Sequence, residues 1–493
     1  MDILIYSLLT NFLYYCSGRL FISQYNLNFN TLFFVYFKGI VFISFVALLF
    51  NFFIKLDATF NGIIYLIIFI SFFVKNSLQF NKSELLFLII SSFITTALIL
   101  FSTINRPDAG LYHLPYISLL NEHKIILGVT NINFRFGLTS IMQYISALNN
   151  NHLFNENGVS IPLASIVSFF YIYFLNDIWN VFKKKNQPDI GNFFSLLVTI
   201  YISYKLLRYS GFGNDVVPHI TFFYLISYIL KNDFKNLNII KILLISVFIF
   251  INKPTLGVVF IIPVIIYLMR EKLISKKFIG IFYSFPLFFL YLWLIKNLLI
   301  SGCLLYPIKL TCFENLPWTN KTQIVKVSTL GQAWSKGWSD KETTNIKMSD
   351  FNKNFNWIDA WSGKHLKYIL KIIIPYLIIL TIITILIRKK YCLYKKKDED
   401  LSKRLILSIV TCFFGVLFFF LIFPLYRYGY SYLISFFILI YLISIKNFVF
   451  SKNSANLFKY IFFITLILFS LKQFQKIYNN FENSRWPNIY TLN

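Results

Sequence analysis

NIIKILLISVFIFINKPTLGVVFIIPVIIYLMR, residues 238–270, decides what kind of fold this chain takes. It is apolar on every face of a helical projection, so no side is left for water. It is too long for one soluble core helix and is broken only by Asn252, Lys253 and Pro254. Proline suits the first turn of a helix, so the break predicts a tight turn between spans 238–252 and 255–270. A single kinked helix is the alternative. Blocks of this kind, about 17–25 residues each, recur along the chain and are long enough to cross a bilayer as helices. Barrel strands alternate apolar with polar residues, and these blocks do not. The composition agrees: 57% of the 493 residues are hydrophobic, 20% aromatic and only 14% charged, with a mean hydropathy of +0.64. The expected fold is all-α and polytopic.

Working outward, about fourteen spans are expected: 3–21, 30–54, 60–75, 84–104, 158–182, 191–208, 216–231, 238–252, 255–270, 278–300, 368–388, 405–424, 428–446 and 457–474. The first block is read as retained, because Asp2 stands where a signal peptide carries basic residues. Net charge is +27. In a soluble chain that would point to nucleic acid. Here the basic residues fall in alternate short loops: Arg19; Lys75 and Lys82; Lys183, Lys184 and Lys185; Lys231, Lys235 and Lys241; Arg270, Lys272, Lys276 and Lys277; eight in 388–404; Lys446, Lys452 and Lys459. The opposite short loops hold only Lys55, Lys253 and Arg427. The positive-inside rule then places both termini and the loops 105–157 and 301–367 outside the cytoplasm, in a multi-pass plasma (inner) membrane protein contacting anionic lipid. The chain divides into a four-span segment (1–104), the first outer loop (105–157), a six-span core (158–300), a Trp-rich outer loop (301–367) and a second four-span segment (368–493). Loops of fifty or more residues are uncommon without a function. No internal repeat is visible, which weighs against transporters built from repeated halves.

On this topology the unusual polar residues share the outer face. Asp108 and His113 lie in the first outer loop with Tyr112, Asn131 and Arg135; Asp215 follows a glycine-rich turn; Lys253 precedes Pro254; Tyr306 precedes Pro307; and Arg427 lies between Tyr426 and Tyr428. Asp108 reads as a general base, or as a helix N-cap for 109–122. Tyr112 and His113 lie about one turn further, so they can share its face; interfacial packing is the plainer role for His113. Asp215 reads as a second carboxylate beside the base, or as an Asx turn. Arg135, Lys253 and Arg427 offer cationic donors to a phosphate, or snorkel to the interface. Five of the eight Trp residues (Trp318, Trp334, Trp338, Trp357 and Trp361) occupy the 301–367 loop. They read as a cover for a sugar site, or as an interfacial belt. Cys303 and Cys312 share that loop and form a candidate disulfide. No ligand spacing supports a metal site, so no cofactor is assigned, although a divalent ion fits the chemistry.

At these residues the chain resembles the GT-C superfamily of polytopic glycosyltransferases. The run Lys296, Asn297, Ser301, Gly302, Tyr306, Pro307 is similar to the Arg-Asn…Gly…Tyr-Pro pattern of bacterial members, with Lys296 where Arg is usual. Asp108, Tyr112 and His113, then Gly128, Thr130 and Asn131, then Arg135, Phe136, Gly137 and Ser140, resemble a little-characterised bacterial multi-spanning family of GT-C-like layout. The resemblance implies a polyprenyl-phosphate-linked sugar as donor, a glycan, lipid or protein as acceptor, transfer on the outer face, and Asp108 as base. It departs in having four spans before the loop, and in lacking a second acidic residue next to Asp108. The expected function is an inverting membrane glycosyltransferase of polysaccharide or cell-envelope synthesis. Rivals are a polysaccharide polymerase or ligase, a lipid-linked-sugar flippase, for which Lys38 is the one mid-membrane charge, and an inactive binding protein of the same layout.

Overall fold

The computed structural model describes residues 2–21, 29–75, 81–100, 108–184, 187–205, 215–270, 284–338, 347–395, 398–451 and 453–480. Arg106 and Pro107, the turn 208–214, Lys185, Lys272, Lys276, Lys277 and Lys452 lie outside them. The described chain is helical apart from one two-stranded ribbon, β1 (Cys392–Lys395) with β2 (Phe448–Phe450). Where the expected spans are described, they contain helices. In order they are α1 (Asp2–Arg19), α2 (Phe29–Asn51), α3 (Ala58–Lys75) and α4 (Lys82–Ile99); then, after two short helices, α5 (Leu114–Glu122) and α6 (Ile141–Leu148), come α7 (Ile161–Lys184), α8 (Ile190–Lys205), α9 (Val216–Lys231), α10 (Ile239–Asn252), α11 (Ile261–Arg270) and α12 (Phe285–Ser301). A further helix, α13 (Lys321–Ser335), precedes α14 (Lys367–Leu386), α15 (Glu399–Ile422), α16 (Tyr426–Ile443) and α17 (Ser454–Asn480).

Among the described residues, eight helices rather than fourteen are long and apolar enough to cross a membrane, those containing α2, α3, α4, α7, α14, α15, α16 and α17. Four more are apolar but shorter: α9, α10, α12 and the segment Pro254–Met269. A sixteen-residue helix such as α9 rises only about 24 Å against a hydrocarbon core of about 30 Å. It is enclosed by its neighbours, with Val217, Ile220, Phe222, Phe223, Leu225 and Ile226 fully buried. In contrast, α3 and α17 leave Leu66, Ile70, Phe463 and Ile467 exposed, as lipid-facing helices do.

Small residues let the helices approach. A Cβ on Gly39 of α2 would lie 1.9 Å from the Tyr14 carbonyl oxygen of α1, and one on Gly18 would lie 1.9 Å from that of Val35. Only hydrogen fits at this reciprocal contact. Between α10 and α11 the chain turns back on itself. Lys253 is extended (φ −151°, ψ 95°), and the Phe250 and Phe260 rings meet at 5.3 Å across the turn. A single kinked helix would keep those two rings apart.

The connections segregate to two ends of the bundle. At one end, Leu56 N–H donates to Leu120 O (2.9 Å), Ile125 N–H to Asn51 O (2.9 Å) and Gly128 N–H to Leu299 O (2.9 Å). At the other, Lys231 pairs with Asp177 at 2.5 Å, Arg404 with Asp400 at 2.9 Å, and the β1–β2 ribbon joins two more loops. Helices α7, α9, α10 and α15 run from one end to the other, so each loop's end is fixed by its neighbours in sequence.

Candidate functional site

The first of these ends carries the charge cluster. Residues 108–113 enter it as an irregular turn, with a π-helical bulge at Ala109–His113. Such bulges widen a helix by one residue and re-aim its side chains. Asp108 has helical backbone angles and its side chain caps nothing. Its Oδ2 instead lies 3.4 Å from Nη1 of Arg427, 319 residues away in sequence. Both side chains are about two-fifths exposed, 43% and 38%, so the contact is open to exchange with solvent or a ligand.

Arg427 sits in the first turn of α16, and its guanidinium lies over the rings of Trp334 (5.2 Å) and Tyr428 (5.1 Å). Nη2 also donates to the Tyr428 hydroxyl at 3.2 Å. The turn is braced from behind. The Arg427 carbonyl accepts from Lys253 Nζ at 2.8 Å and stands 3.0 Å from His219 Nε2. His219 is buried, with Nδ1 2.7 Å from Ser431 Oγ and its ring stacked 3.8 Å from Tyr430. Tyr426 and Tyr432 tie α16 to Tyr201 (2.7 Å) and to the Leu256 carbonyl (2.6 Å). Helices α15 and α16 meet through glycines: a Cβ on Gly429 would lie 2.3 Å from the Phe419 ring, and one on Gly415 2.3 Å from that of Tyr432.

Lys253 is almost enclosed, its side chain 9% exposed, and it pairs with Asp215. Its ammonium also lies 4.5 Å from the Tyr428 ring centroid. Burial pushes Lys253 down to about 8, with Asp215 recovering part of the loss. Burial alone would raise Asp215, but Lys253 and Arg427 outweigh it and hold the carboxyl below its usual range. Asp215 makes no capping bond at the start of α9, so its partner is the ammonium.

His113 is buried and 3.3 Å from Gln143. Gln143 Oε1 accepts from the Ser140 N–H at 2.9 Å, completing a capping box at the start of α6. Its amide nitrogen is thereby aimed at His113 Nδ1, which accepts. Burial lowers His113 to about 4, against the pull of Asp215 and Asp108, so the ring is neutral at pH 7. Ser140 Oγ bonds Asn252 Oδ1 at 2.8 Å, linking this loop to the turn that carries Lys253. Tyr112 stacks beside His113 at 4.2 Å.

The structure thus brings together Asp108, Tyr112, His113, Asp215, Lys253 and Arg427. The other three sequence candidates lie elsewhere at this end. Asn131 donates to the Trp318 carbonyl at 2.9 Å. Tyr306 packs flat against Gly137, where a Cβ would come within 2.3 Å of the ring. Both join the first loop to the second. Arg135 lies over the Phe134 ring at 4.6 Å and forms no ion pair among the described residues. Of the five loop Trp residues, Trp334 lies against the charge cluster, its ring 5.2 Å from the Arg427 guanidinium. Trp318 donates to Leu298 O (3.0 Å) and Trp361 to Pro424 O (2.6 Å), Trp357 is buried against Trp361 and Phe420, and Trp338 packs on Phe351. Trp334 is the exposed ring at the cluster, whereas Trp357 and Trp361 pack against Phe420 of α15 and Trp318 is tied to α12. Cys303 and Cys312 are disulfide-bonded.

Sequence reading groups His219 with Asp215 and sets Tyr428 beside Arg427, but gives neither a role in the site. A histidine two residues before an aromatic helix face carries no local sign that its partner is a carbonyl 208 residues away. No group of three His, Cys, Asp or Glu side chains among the described residues is arranged to hold a metal ion. No curated protein and no solved structure matches the chain. One family model does match, over residues 1–434 of the 493, and its description is Domain of unknown function (DUF8201). That match takes in the 105–157 and 301–367 loops and every residue of the charge cluster, and by it the chain belongs to the DUF8201 family.

Proposed function

We propose that this protein is an inverting membrane glycosyltransferase with a GT-C-like layout of about fourteen spans. In this reading it moves a sugar from a polyprenyl-phosphate donor to a glycan, lipid or protein acceptor on the outer face of the plasma membrane. The observation that carries the reading is the Asp108–Arg427 contact at 3.4 Å, half-open to solvent and backed by a second cation, Lys253.

The donor's phosphate docks on Arg427, whose planar fork suits phosphate oxygens. It competes with Asp108 for the same N–H groups. Donor binding therefore releases the carboxylate, which becomes free to accept a proton. The acceptor hydroxyl oxygen then attacks the anomeric carbon from the face opposite the phosphate. The carbon–oxygen bond to phosphate breaks, the polyprenyl phosphate leaves with the bonding pair, and Asp108 takes the hydroxyl proton. Asp215, engaged by Lys253, keeps that ammonium beside the leaving phosphate. Neutral His113 and Tyr112 offer hydrogen bonds to sugar hydroxyls, and Trp334 covers the guanidinium.

Replacing Asp108 with Asn keeps the shape and removes the base. Transfer from a polyprenyl-phosphate sugar is expected to fall by about a hundredfold or more, with donor binding retained. Full transfer by D108N at normal protein level sinks the reading. The contact between Arg427 and Trp334 favours a second reading, a polysaccharide polymerase or ligase in which Arg427 is the reacting cation. On that reading Arg427→Lys abolishes product while D108N does not.

A further inference from the structure

At the end of the bundle opposite the charge cluster, two lysines stand on one aromatic face without an acid. Lys38 of α2 lies 5.0 Å from the Phe34 ring centroid, and Lys241 of α10 lies 4.0 Å from the same centroid. Lys241 also lies 4.1 Å from the Tyr228 ring and 5.8 Å from that of Tyr224. Both lysines are half-buried. Neither ion-pairs with a carboxylate among the described residues, although Lys231 and Arg404 at this end both do.

The positive charge is compounded by position. Lys241 lies in the first turn of α10, capped by Asn238 Oδ1 at 3.0 Å, where the helix dipole already presents its positive end. Lys38 lies about 14 Å along α2 from its start at this end. Its side chain leans toward the helix N-terminus, as Cα–Cβ bonds in helices do, and so toward Lys241. Two like charges and a helix N-terminus on one ring repel unless an anion lies between them. Ring faces supply part of the balance, but they do not neutralise two ammoniums.

We propose that Lys38 and Lys241 together hold the phosphate of an anionic phospholipid from the leaflet at that end. A phosphodiester presents two unbridged oxygens, one for each ammonium. Its glycerol and acyl carbons have apolar surfaces to follow: Phe34, beside both lysines, is half-buried, and Ile240, next to Lys241, is 51% exposed. The apolar surface of Phe34 and Ile240 favours a lipid over a free anion, because inorganic phosphate has no acyl carbon to lay on it. The inference does not depend on the glycosyltransferase reading.

The test is thermal unfolding of the purified full-length chain in detergent, titrated separately with phosphatidylglycerol, phosphatidylcholine and inorganic phosphate. Phosphatidylglycerol is expected to raise the Tm of the wild type, with the other two giving little shift. Lys38→Gln and Lys241→Gln are each expected to weaken the phosphatidylglycerol response by about fivefold, and Lys241→Arg to retain it. Without lipid, each Gln variant is expected to melt at or above the wild-type temperature, since one of two repelling charges is gone. Equal phosphatidylglycerol affinity in the wild type and both Gln variants overturns the site. An equal wild-type shift with inorganic phosphate overturns the lipid as its occupant, and an equal shift with phosphatidylcholine overturns the need for an anionic headgroup. The three wild-type titrations decide the occupant even if a variant fails to fold.

Discussion

Asp108 and Asp215 are both carboxylates at the start of a helical segment, and their surroundings separate their roles. Asp215 is engaged by a nearly buried ammonium, whereas Asp108 meets Arg427 at 3.4 Å with 43% of its side chain exposed. On the proposed reading, the more exposed carboxylate is the one an acceptor hydroxyl can reach. Lys253 gives the pH signature. Its folded value of about 8 lies below the ordinary 10.5, so between those values the folded chain holds fewer protons than the unfolded one. This group's contribution to stability therefore rises with pH across that window, while phosphate affinity falls as the ammonium is lost. Donor affinity and Tm, measured from pH 7 to 10, are expected to move in opposite directions through about pH 8. Asp215→Asn removes the charge that supports the ammonium, so the alkaline limb of the affinity profile is expected to shift to lower pH.

At the scale of elements, the position of Arg427 depends on how α15 and α16 pack. Gly429 lies two residues beyond Arg427, and the Phe419 ring fills the place of its missing Cβ. Gly429→Val is expected to lower stability by about 1–3 kcal/mol through overpacking and to weaken donor binding as well, because the first turn of α16 must move. Thermal unfolding and donor affinity of one preparation check both effects. Gly137→Val is expected to cost a similar amount, about 1–3 kcal/mol, by displacing Tyr306, which is the joint between the two long loops. The helices were legible in the sequence because apolar blocks and loop charges are local patterns. Asp108 stood out because it interrupts such a pattern just after a block. The part played by His219 did not, since the carbonyl it meets lies 208 residues away.

For the whole molecule, the loops gather at two ends, and the alternation of basic residues agrees with that division. Cys303 and Cys312 lie at the site end and Cys392 starts β1 at the other. If the site end is extracytoplasmic, a membrane-impermeant maleimide is expected to label Cys303 and Cys312 in intact cells only after reduction. Labelling of an otherwise cysteine-free version without reduction, or none after it, contradicts that orientation or that disulfide. Replacing both cysteines with serine is expected to cost about 2–3 kcal/mol by freeing a short loop, read as a lower Tm.

Hydrophobic blocks too long and too uniformly apolar for a water-soluble core determined, from the sequence alone, that the chain is helical and belongs in a membrane. Short-loop charges set the expected alternation of ends, because each lysine or arginine beside a span carries its own insertion cost. Which of the shorter helices are enclosed was decided only by tertiary packing, since burial depends on neighbours distant in the chain. The same holds for the site. Sequence offered nine candidate side chains near one surface, and folding chose six of them. The Asp108–Arg427 contact spans 319 positions, and no local pattern encodes a partner at that distance. Close packing at Gly429, the turn at Lys253 and the capping box at Ser140 hold those side chains within a few ångströms of one another.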